Sequence, residues 1–450
     1  MSAPGGDPVQ PENRQPRNRD RDRDLGTAEG LALILDDLRA RGDRDDDSWT
    51  ERVDVSAAVG RVLATPCDAA WPLPTAPLSI MDGYAVDSAL LVAAWERGER
   101  DLSLITVGES AAGHPSKLEL SAGTCMRIAT GAVVPAGADA VVPREDARPD
   151  LADPDQPERV LFSAQALEQA APGRWIRSRG SDVADGERLL DAGVCLGPGD
   201  AALLASEGHD RPLLRRRPVV AILSSGDELV AIGTRPGHGQ IVSTNAMMLA
   251  AQIGEAGGVP LDLGAVADSP EALRAALERG ACEADLIVCS GGISVGEHDL
   301  VLPALVALGL ALRFRKLRLR PGRPTTYGLL PRSPSRPPLP VLALPGNPAS
   351  TFVAFELFAR PLIRALLGLP EARWHRPRRT LELAAAADGD PRREHYVRAG
   401  LDPDGRARPL TRQLSGALRS LAGVDVLLRV PEGRRSVAAG EHLEALILRE

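Results

Sequence analysis

The stretch ADLIVCSGGISVGEHDLV, residues 284–301, joins a run of apolar residues to a segment with apolar residues at helical spacing. The run predicts a buried strand that ends at Ser290, and the later segment predicts a helix that starts near Asp299. The turn between them carries Ser-Gly-Gly and then Ser-x-Gly-Glu-x-Asp. Because such turns lie at the carboxyl edge of open α/β sheets, where ligands bind, the stretch predicts both an α/β fold and a binding site.

Strands and helices alternate on both sides of this stretch. The apolar runs VVAILSS and VLALPG predict strands, while STNAMMLAAQIGEAGG and PASTFVAFELFARPLIRALLG have the residue spacing of helices. Alternation of strands with helices of about 10–15 residues is typical of a parallel or mostly parallel sheet. We therefore expect one α/β domain at residues 216–370.

The regions before and after this domain have shorter strand-like runs broken by Gly and Pro. Runs such as SLITVGES and RVLFSA predict a β-rich N-terminal half that contains more than one small domain. The runs RTLELAAA, EHYVRAGL and DVLLRVPEG predict a small β domain from residue 371 onward. A helix is expected from Thr27 through Leu38, and the Pro-, Arg- and Asp-rich residues 1–24 predict a disordered tail.

The composition excludes several classes of protein. The 450 residues are 44% hydrophobic and 25% charged, which is typical of a globular chain with about three domains. A net charge of -8 without a basic stripe excludes a nucleic-acid binder, and no apolar run of about 18 residues could span a membrane. The five cysteines form no C-x-x-C pair, so neither a disulfide framework nor a cysteine zinc site is expected, and a reducing cytoplasm is the simplest compartment.

Four polar turns of the α/β domain each follow a predicted strand: SSGDEL (224–229), SGGISVGEHD (290–299), RPGRP (320–324) and LPGNPAS (344–350). Hydroxyl groups and glycine N–H groups in the first two turns can bind an anion such as phosphate. Carboxylates in the same turns would repel that anion unless a divalent cation such as Mg²⁺ lies between them. The alternative is that the aspartates only cap helices. The predicted phosphate and Mg²⁺ site consists of Ser224, Ser225, Ser290, Gly291, Gly292, Asp227, Glu228, Glu297 and Asp299.

Lysine is almost absent from this chain, since only Lys117 and Lys316 occur among 53 Lys and Arg residues. Lys316 lies in RFRKLRLRPGRP among several arginines. A lysine retained there indicates that a compact, strongly hydrated ammonium group is needed at this point. A solvated strand edge is the alternative interpretation of this basic stretch.

Eight motifs follow one another in the order of one known family: PLSIMDGYAV, RIATGAVVPAGADAVV, GSDV, SSGDEL, GQIVSTN, SGGISVGEHD, RPGRP and LPGNPAS. In these motifs the chain resembles the molybdopterin molybdenumtransferase family, the MoeA and gephyrin E-domain proteins, over residues 27–450. The resemblance implies a central three-layer MogA-like α/β domain, β-rich N-terminal domains and a C-terminal β-barrel-like domain. The implied boundaries are 25–75 with 163–215 for a discontinuous linker and dimer domain, 76–162 for an inserted β-rich domain with MDGYAV, 216–370 for the MogA-like domain and 371–450 for the C-terminal domain.

The resemblance also implies a function. Members of this family insert molybdate into adenylylated molybdopterin and release AMP, and they require Mg²⁺. They are homodimers whose active site lies between the α/β domain of one subunit and the MDGYAV domain of the other. We accordingly expect a cytoplasmic homodimer that works with a molybdopterin adenylyltransferase and with apo-molybdoenzymes, and that binds neither nucleic acid nor a membrane.

By position in the motifs, the resemblance implies roles for individual residues. The expected catalytic residues are Asp82, Thr130, Asp182, Glu228, Asp299, Lys316 and Arg320. The expected cofactor-binding residues are Ser224, Ser225, Gly226, Ser290, Gly291, Gly292, Ser294, Gly296, Pro321, Gly322, Arg323 and Ser420, with Ser415 as the alternative serine of the C-terminal domain. The expected metal ligands are Asp227, Glu228, Asp268 and Asp299. The family commonly has lysines at the positions of Arg320 and Arg323, where a guanidinium group can still bind oxyanions.

Two other functions stay open. Relatives of this fold also anchor other proteins, so a non-catalytic scaffold that binds a protein partner is one alternative. The second is an adenylyltransferase that acts one step earlier. The related single-domain adenylyltransferases lack the MDGYAV and C-terminal domains that this sequence contains, which argues against the second alternative.

Overall fold

The computed structural model of the chain describes residues 24–41, 47–150, 158–292, 300–333 and 336–449. These residues form two compact units. One unit is Arg52–Pro212, and the other contains the described parts of Met1–Glu51 and Leu213–Glu450. The finer domain boundaries expected from the sequence stay a prediction, and the expected tail lies outside the described residues apart from Asp24.

Short strands dominate the N-terminal part of the chain. A six-stranded sheet with the order β7-β4-β6-β5-β9-β8 forms the centre of the unit Arg52–Pro212. The elements are α1 (Thr27–Arg39), β1 (Thr50–Arg52), β2 (Cys67–Asp68), β3 (Leu78–Ser79), β4 (Gly83–Val86), α2 (Ser88–Glu96), β5 (Leu102–Ser110), β6 (Thr124–Ile128), β7 (Ala140–Pro143), β8 (Ala147–Pro149), β9 (Arg159–Phe162), α3 (Ala164–Glu168), β10 (Ile176–Arg177), β11 (Arg188–Leu190), α4 (Pro198–Ser206) and β12 (Leu213–Arg215), with short 3₁₀ turns at Asp47–Trp49, Val55–Ala57 and Arg144–Asp146.

Strands and helices alternate in the next part of the chain, as the sequence predicts. The elements are β13 (Val219–Ser225), β14 (Leu229–Val230), β15 (Ile241–Val242), α5 (Asn245–Ala256), β16 (Val259–Val266), α6 (Pro270–Glu283), β17 (Leu286–Ser290), α7 (Val301–Ala307), β18 (Ala311–Phe314), β19 (Leu319–Arg320), β20 (Thr326–Leu330), β21 (Leu339–Leu344), α8 (Pro348–Ala354), a π-helical turn at Phe355–Ala359, and α9 (Arg360–Leu366). The sheet order is β16-β13-β17-β21-β20-β18. Its first four strands are parallel, and β20 runs antiparallel to both of its neighbours, β21 and β18.

Alternate residues of the central strands face two different apolar layers. Ile222 and Val288 pack into one core cluster together with residues of α1, α5 and α9, whereas Leu223 and Cys289 pack into a second cluster with residues of α6 and α7. A parallel sheet that is covered on both faces requires apolar residues at every position of its strands. This explains why VVAILSS and LIVCS are continuous apolar runs and confirms the predicted three-layer domain.

The C-terminal part is β-rich, and one strand of the α/β domain joins its sheet. Strand β19 pairs with β24, so that Arg320 lies opposite His395 in the register. The sheet order is β19-β24-β26-β28-β22, and β25 pairs with β24 in addition. The elements are a 3₁₀ turn at Glu371–Arg373, β22 (Arg378–Glu382), β23 (Ala387–Asp388), β24 (Glu394–Leu401), β25 (Ala407–Pro409), a 3₁₀ turn at Leu418–Leu421, β26 (Val426–Val430), β27 (Ser436–Val437) and β28 (His442–Ile447).

None of the helices in the described ranges combines the length and the apolar character that crossing a bilayer requires.

Candidate functional site

A cavity of about 730 Å³ opens at the carboxyl edge of the α/β sheet, and we name it the edge cavity. Strands β13 and β17 are in register with Ser224 opposite Ser290, so both strands end at this edge. The turns that follow these strands and β21 form much of the wall. Residues that line the edge cavity include Ser225, Glu228, Asp268, Gly291, Gly292 and Asn347.

Several buried polar atoms at this edge have no partner. The hydroxyl groups of Ser224 and Ser225 are buried and form no hydrogen bond within the described residues, and the same holds for the Oδ1 atom of Asn245. Asn245 Nδ2 is used, because it donates to Ser290 Oγ at 2.9 Å and to the Gly346 carbonyl at 2.7 Å. An unpaired buried polar group lowers the stability of the folded protein by about 1–3 kcal/mol. These atoms therefore indicate a site at which a polar ligand supplies the missing hydrogen bonds.

The turn after β17 requires glycine. Gly291 has φ 94° and Gly292 has φ 64°, a region that side-chain-bearing residues rarely adopt. A Cβ atom on Gly292 would overlap the Val301 side chain and lie 2.9 Å from Ser225 Oγ. A side chain at residue 292 would therefore collide with Val301 and crowd the unpaired Ser225 hydroxyl, and both glycines line the edge cavity without a side chain that would fill it.

Two carboxylates, Glu228 and Asp268, line the same cavity. Asp227 lies beside them, and its Oδ1 atom accepts the Asp268 backbone N–H at 3.2 Å. Asp227 precedes strand β14 and not a helix, so it is not a helix cap. In the part of the chain that the structure describes, no three His, Cys, Asp or Glu side chains are close enough to form a metal site by themselves. Mg²⁺ in enzymes is usually held by one or two carboxylates together with substrate phosphates, and Glu228 and Asp268 fit that pattern.

A second cavity of about 310 Å³ adjoins the edge cavity, and we name it the Arg320 cavity. The two cavities share Pro324, Pro345 and Asn347 in their walls. The predicted residues Arg320, Pro321, Gly322 and Arg323 all line the Arg320 cavity, together with Ser350 and Ser415. One cavity therefore carries two carboxylates and the unpaired Ser225 hydroxyl, while its neighbour carries arginines.

Arg320 and Arg323 in the Arg320 cavity are each held by acceptors of other segments. Arg320 Nη1 donates to the Gly389 carbonyl at 3.3 Å and lies 3.9 Å from the Asp390 carboxylate. Arg323 Nε donates to Asp24 Oδ2 at 2.9 Å. Both side chains remain partly exposed, so each guanidinium group keeps N–H donors for an oxyanion.

The unit Arg52–Pro212 brings Asp82 and Thr130 together. Asp82 Oδ1 accepts the Thr130 backbone N–H at 2.7 Å and its hydroxyl at 2.8 Å, and these bonds hold the pKa of Asp82 below its ordinary value. Glycine is needed at position 83, because a Cβ atom there would overlap the Val142 carbonyl. Asp182 pairs instead with Arg177 at 2.8 Å.

Three family models match this chain: the MoeA N-terminal region (domains I and II) over residues 26–208, a probable molybdopterin binding domain over residues 221–365, and the MoeA C-terminal region (domain IV) over residues 380–448. A molybdopterin molybdenumtransferase from Nostoc sp. is 35% identical over 409 residues, which cover 90% of each protein. The chain belongs to the molybdopterin molybdenumtransferase family. A molybdopterin molybdenumtransferase from Bacillus subtilis is 31% identical over 89% of this chain and 90% of its own.

Solved structures agree with this family assignment. A crystal structure of a molybdopterin biosynthesis MoeA protein from Pyrococcus horikoshii covers 95% of this chain and all of its own, with a TM-score of 0.79 and 27% identity. A second structure of that protein gives a TM-score of 0.74 and 26% identity, and covers 94% of this chain. The predicted fold class and the resemblance to the molybdopterin molybdenumtransferase family are both confirmed.

Some of the residues that the sequence predicts for the site of this family member lie away from both cavities. Ser420 lines neither of them, and its buried hydroxyl donates to the Ala417 carbonyl at 2.5 Å. It lines a different cavity of the C-terminal domain, so its predicted cofactor-binding role finds no support in the geometry of this site. The alternative serine, Ser415, lines the Arg320 cavity and accepts Asn347 Nδ2 at 3.2 Å. Lys316 lines neither cavity, and its carbonyl accepts the Leu25 N–H. The expected residues Ser294, Gly296, Glu297 and Asp299 lie outside the described residues.

The sequence interpretation missed two buried basic residues on β24, Arg398 and His395. Arg398 is fully buried and donates through Nη2 to the Arg412 and Leu414 carbonyls, whereas its Nε and Nη1 atoms have no partner among the described residues. Burial, and then repulsion from Arg320, lowers the pKa of Arg398 to about 10 and that of His395 to about 4. The sequence signal for them is that a histidine and an arginine interrupt the otherwise apolar centre of the predicted strand EHYVRAGL.

Proposed function

We propose that this chain is a molybdopterin molybdenumtransferase, which inserts molybdate into adenylylated molybdopterin and releases AMP. The observation that carries the proposal is the pair of adjoining cavities, one with the unpaired Ser225 hydroxyl and two carboxylates and the other with arginines. A reaction between a substrate that contains a phosphoanhydride and a separate oxyanion needs two such neighbouring sites. Family membership supports the same reaction.

In this proposal the edge cavity holds the pyrophosphate of the substrate. The hydroxyl group of Ser225 in the cavity wall donates to a phosphate oxygen, and the glycine turn at Gly291 and Gly292 lets the phosphate approach the backbone. The adjacent Ser224 hydroxyl, which is unpaired but does not line the cavity in the free protein, is expected to donate as well. Hydrogen bonds to a charged phosphate stabilise it by about 1.5–3 kcal/mol each. The buried serines, which lack partners in the free protein, are thereby satisfied.

Glu228 and Asp268 would hold Mg²⁺ against the phosphate oxygens, with Asp227 beside them. When bound, the cation neutralises negative charge that develops as the phosphoanhydride is cleaved. Without a cation, these carboxylates would repel the pyrophosphate, so their place in the cavity wall supports a Mg²⁺ requirement.

The Arg320 cavity localises molybdate next to the dithiolene sulfurs in this proposal. Arg320 and Arg323 donate to its oxygens, and the unpaired N–H groups of buried Arg398 raise the positive potential beside Arg320. The two sulfurs then form Mo–S bonds in place of two Mo–O bonds, and the displaced oxygens are protonated and leave as water. A water molecule attacks the phosphoanhydride, whose P–O bond breaks so that AMP leaves. Proximity and fixed charges supply most of the acceleration, and no nucleophilic side chain is required.

The proposal includes a cytoplasmic homodimer to which Asp82, Thr130 and Asp182 contribute as catalytic residues. A molybdopterin adenylyltransferase supplies its substrate, and apo-molybdoenzymes receive its product. A scaffold has no use for unpaired buried hydroxyl groups next to carboxylates, and this favours the enzyme over the scaffold alternative.

The experiment measures transfer of the finished cofactor to an apo-molybdoenzyme, with the purified protein, adenylylated molybdopterin, molybdate and Mg²⁺. We expect transfer to depend on all four. The variant Arg320→Ala should raise the molybdate KM by about tenfold or more, since it removes a charged donor from the cavity wall. Lys316 lines neither cavity but precedes Leu317, whose N–H donates to the Arg323 carbonyl, so Lys316→Ala should raise the KM by a smaller factor through the loss of a nearby positive charge. Lys117→Ala is the matched control, because it removes the other lysine, which is exposed in the unit Arg52–Pro212. If both variants keep the wild-type KM, the residue assignment is wrong even where the reaction proceeds.

A further inference from the structure

A third cavity, of about 490 Å³, lies on the C-terminal domain, and we name it the Arg408 cavity. The end of β24, strand β25 and the segment that leads to the 3₁₀ turn at Leu418–Leu421 form its walls. It shares no lining residue with the edge cavity or with the Arg320 cavity. The proposed molybdotransferase reaction therefore leaves it without a role.

Three arginines line this cavity: Arg408, Arg412 and Arg419. Their side chains are exposed, and in the part of the chain that the structure describes no acidic side chain pairs with them. Nearby arginines behave differently. Arg406 pairs with Asp402 and Asp404, and Arg429 pairs with Glu394 and Glu444.

Asp402 is the one acid among the described residues that line the Arg408 cavity. Its carboxylate is already occupied, because it accepts the backbone N–H groups of Asp404 and Arg406 and the Arg406 guanidinium at 3.2 Å. Burial opposes ionisation of this group, but these hydrogen bonds hold the pKa of Asp402 below its ordinary value. Its carboxylate is therefore engaged with Arg406 and with backbone N–H groups, and Arg408, Arg412 and Arg419 have no acidic partner among the described residues.

Three like charges around one concavity repel one another, and an anion between them removes that repulsion. Guanidinium groups bind phosphate through paired N–H donors, and three of them match a group with three or four oxygens better than a carboxylate with two. The volume lies within the range of about 300–1,000 Å³ that is usual for small-molecule sites. We propose that the Arg408 cavity binds the phosphate group of a small molecule, at a site separate from the proposed active site.

The test is protection of the three arginines from phenylglyoxal, a reagent that modifies guanidinium groups, followed by peptide mass mapping of the full-length protein. Probes are orthophosphate and AMP, with adenosine and sodium chloride of equal ionic strength as controls. At a ligand concentration about nine times Kd, modification of Arg408, Arg412 and Arg419 should slow together by about tenfold. Arg435 is the internal control, since it is exposed on the same domain and lies outside the cavity, and its rate should not change.

The two phosphate probes distinguish the source of the ligand. Equal protection by orthophosphate and AMP indicates that the cavity recognises phosphate alone, and protection by AMP at lower concentration indicates that the nucleoside also binds. Protection by adenosine or by chloride alone overturns the proposal, and so does equal slowing of Arg435.

A double variant tests the shared role of the arginines. Arg408→Gln with Arg419→Gln should abolish protection of the remaining Arg412, whereas Arg435→Gln should leave it intact. Retained protection of Arg412 in the double variant would overturn a site built from all three residues. The proposed reaction is tested by AMP release and cofactor transfer, and it depends on residues outside the Arg408 cavity. A negative result in the protection assay therefore does not contradict the proposed reaction, and a negative result for AMP release does not contradict the Arg408 site.

Discussion

The unpaired hydroxyl of Ser225 gives the sharpest prediction, because its removal should change stability and ligand binding in opposite directions. The side chain is 7% exposed, lines the edge cavity and has no partner among the described residues. In the ligand-free protein an unpaired buried hydroxyl costs about 1–3 kcal/mol. We expect Ser225→Ala to raise the free energy of local unfolding by about 0.5–1 kcal/mol, because part of that gain is offset by lost packing around the missing oxygen.

The same substitution should weaken the substrate complex. A hydrogen bond to a charged phosphate contributes about 1.5–3 kcal/mol, which corresponds to an increase of about 10- to 100-fold in Kd for adenylylated molybdopterin. Hydrogen exchange of the Val219–Ser225 strand in the free protein measures local stability, and titration calorimetry measures Kd.

Ser290→Ala is the matched control at the same sheet edge. Ser290 is also buried, but its hydroxyl accepts Asn245 Nδ2 at 2.9 Å. Its removal should therefore lower local stability by about 1 kcal/mol while it also weakens binding. The reasoning is refuted if Ser225→Ala destabilises the free strand as much as Ser290→Ala, because the Ser225 hydroxyl would then have a structural partner.

Three further predictions concern the turn after β17, the Asp82 carboxylate and the subunit arrangement. Gly292→Ala should lower stability by about 1–2 kcal/mol, because residue 292 has a left-handed backbone, and it should also abolish substrate binding. Gly233→Ala is the control: residue 233 has φ 90° and open space around it, so the substitution should lower stability without changing binding. Calorimetry measures both quantities. Thr130→Val removes the hydroxyl donor, so the Asp82 pKa should rise toward its ordinary value in carboxyl-carbon NMR titrations, and an unchanged pKa contradicts this cause. Because the pKa of Asp82 is depressed in the folded protein, the stability that this carboxylate contributes is present above the ordinary aspartate pKa and is lost as pH falls through the folded value. For a homodimer with a shared active site, the variants Asp82→Ala and Glu228→Ala should each be inactive when tested alone. Mixing and reassembling them should restore about a quarter of wild-type activity, since half of the dimers then carry one intact site; no recovery would refute shared sites.

The fold could be predicted where one physical cause determines the sequence pattern. A parallel sheet with helices on both faces forces continuous apolar runs, so VVAILSS and LIVCS identified β13 and β17 directly. The serine and glycine turns were equally accessible, because the residues after a parallel strand must lie at the sheet edge. The sequence could not predict that the serine hydroxyl groups in these turns lack hydrogen-bond partners, since this depends on the donors and acceptors that all neighbouring segments place around them.

The arginine side of the site was harder to predict, because it depends on pairing between distant segments. Arg398 reaches the neighbourhood of Arg320 only through the pairing of β19 with β24, and neither sequence run specifies that partner. The C-terminal serine shows the same limit. Ser415 and Ser420 are five residues apart, yet one lines the Arg320 cavity and the other is buried against Ala417. The role of Lys316 stays a prediction that its variant will test.

The central claim is tested most directly by AMP release from adenylylated molybdopterin by the purified wild-type protein. We predict that AMP appears in proportion to substrate when molybdate and Mg²⁺ are both present, and that omission of either ion abolishes release. Absence of AMP under conditions in which an established molybdopterin molybdenumtransferase releases it would contradict the proposed reaction.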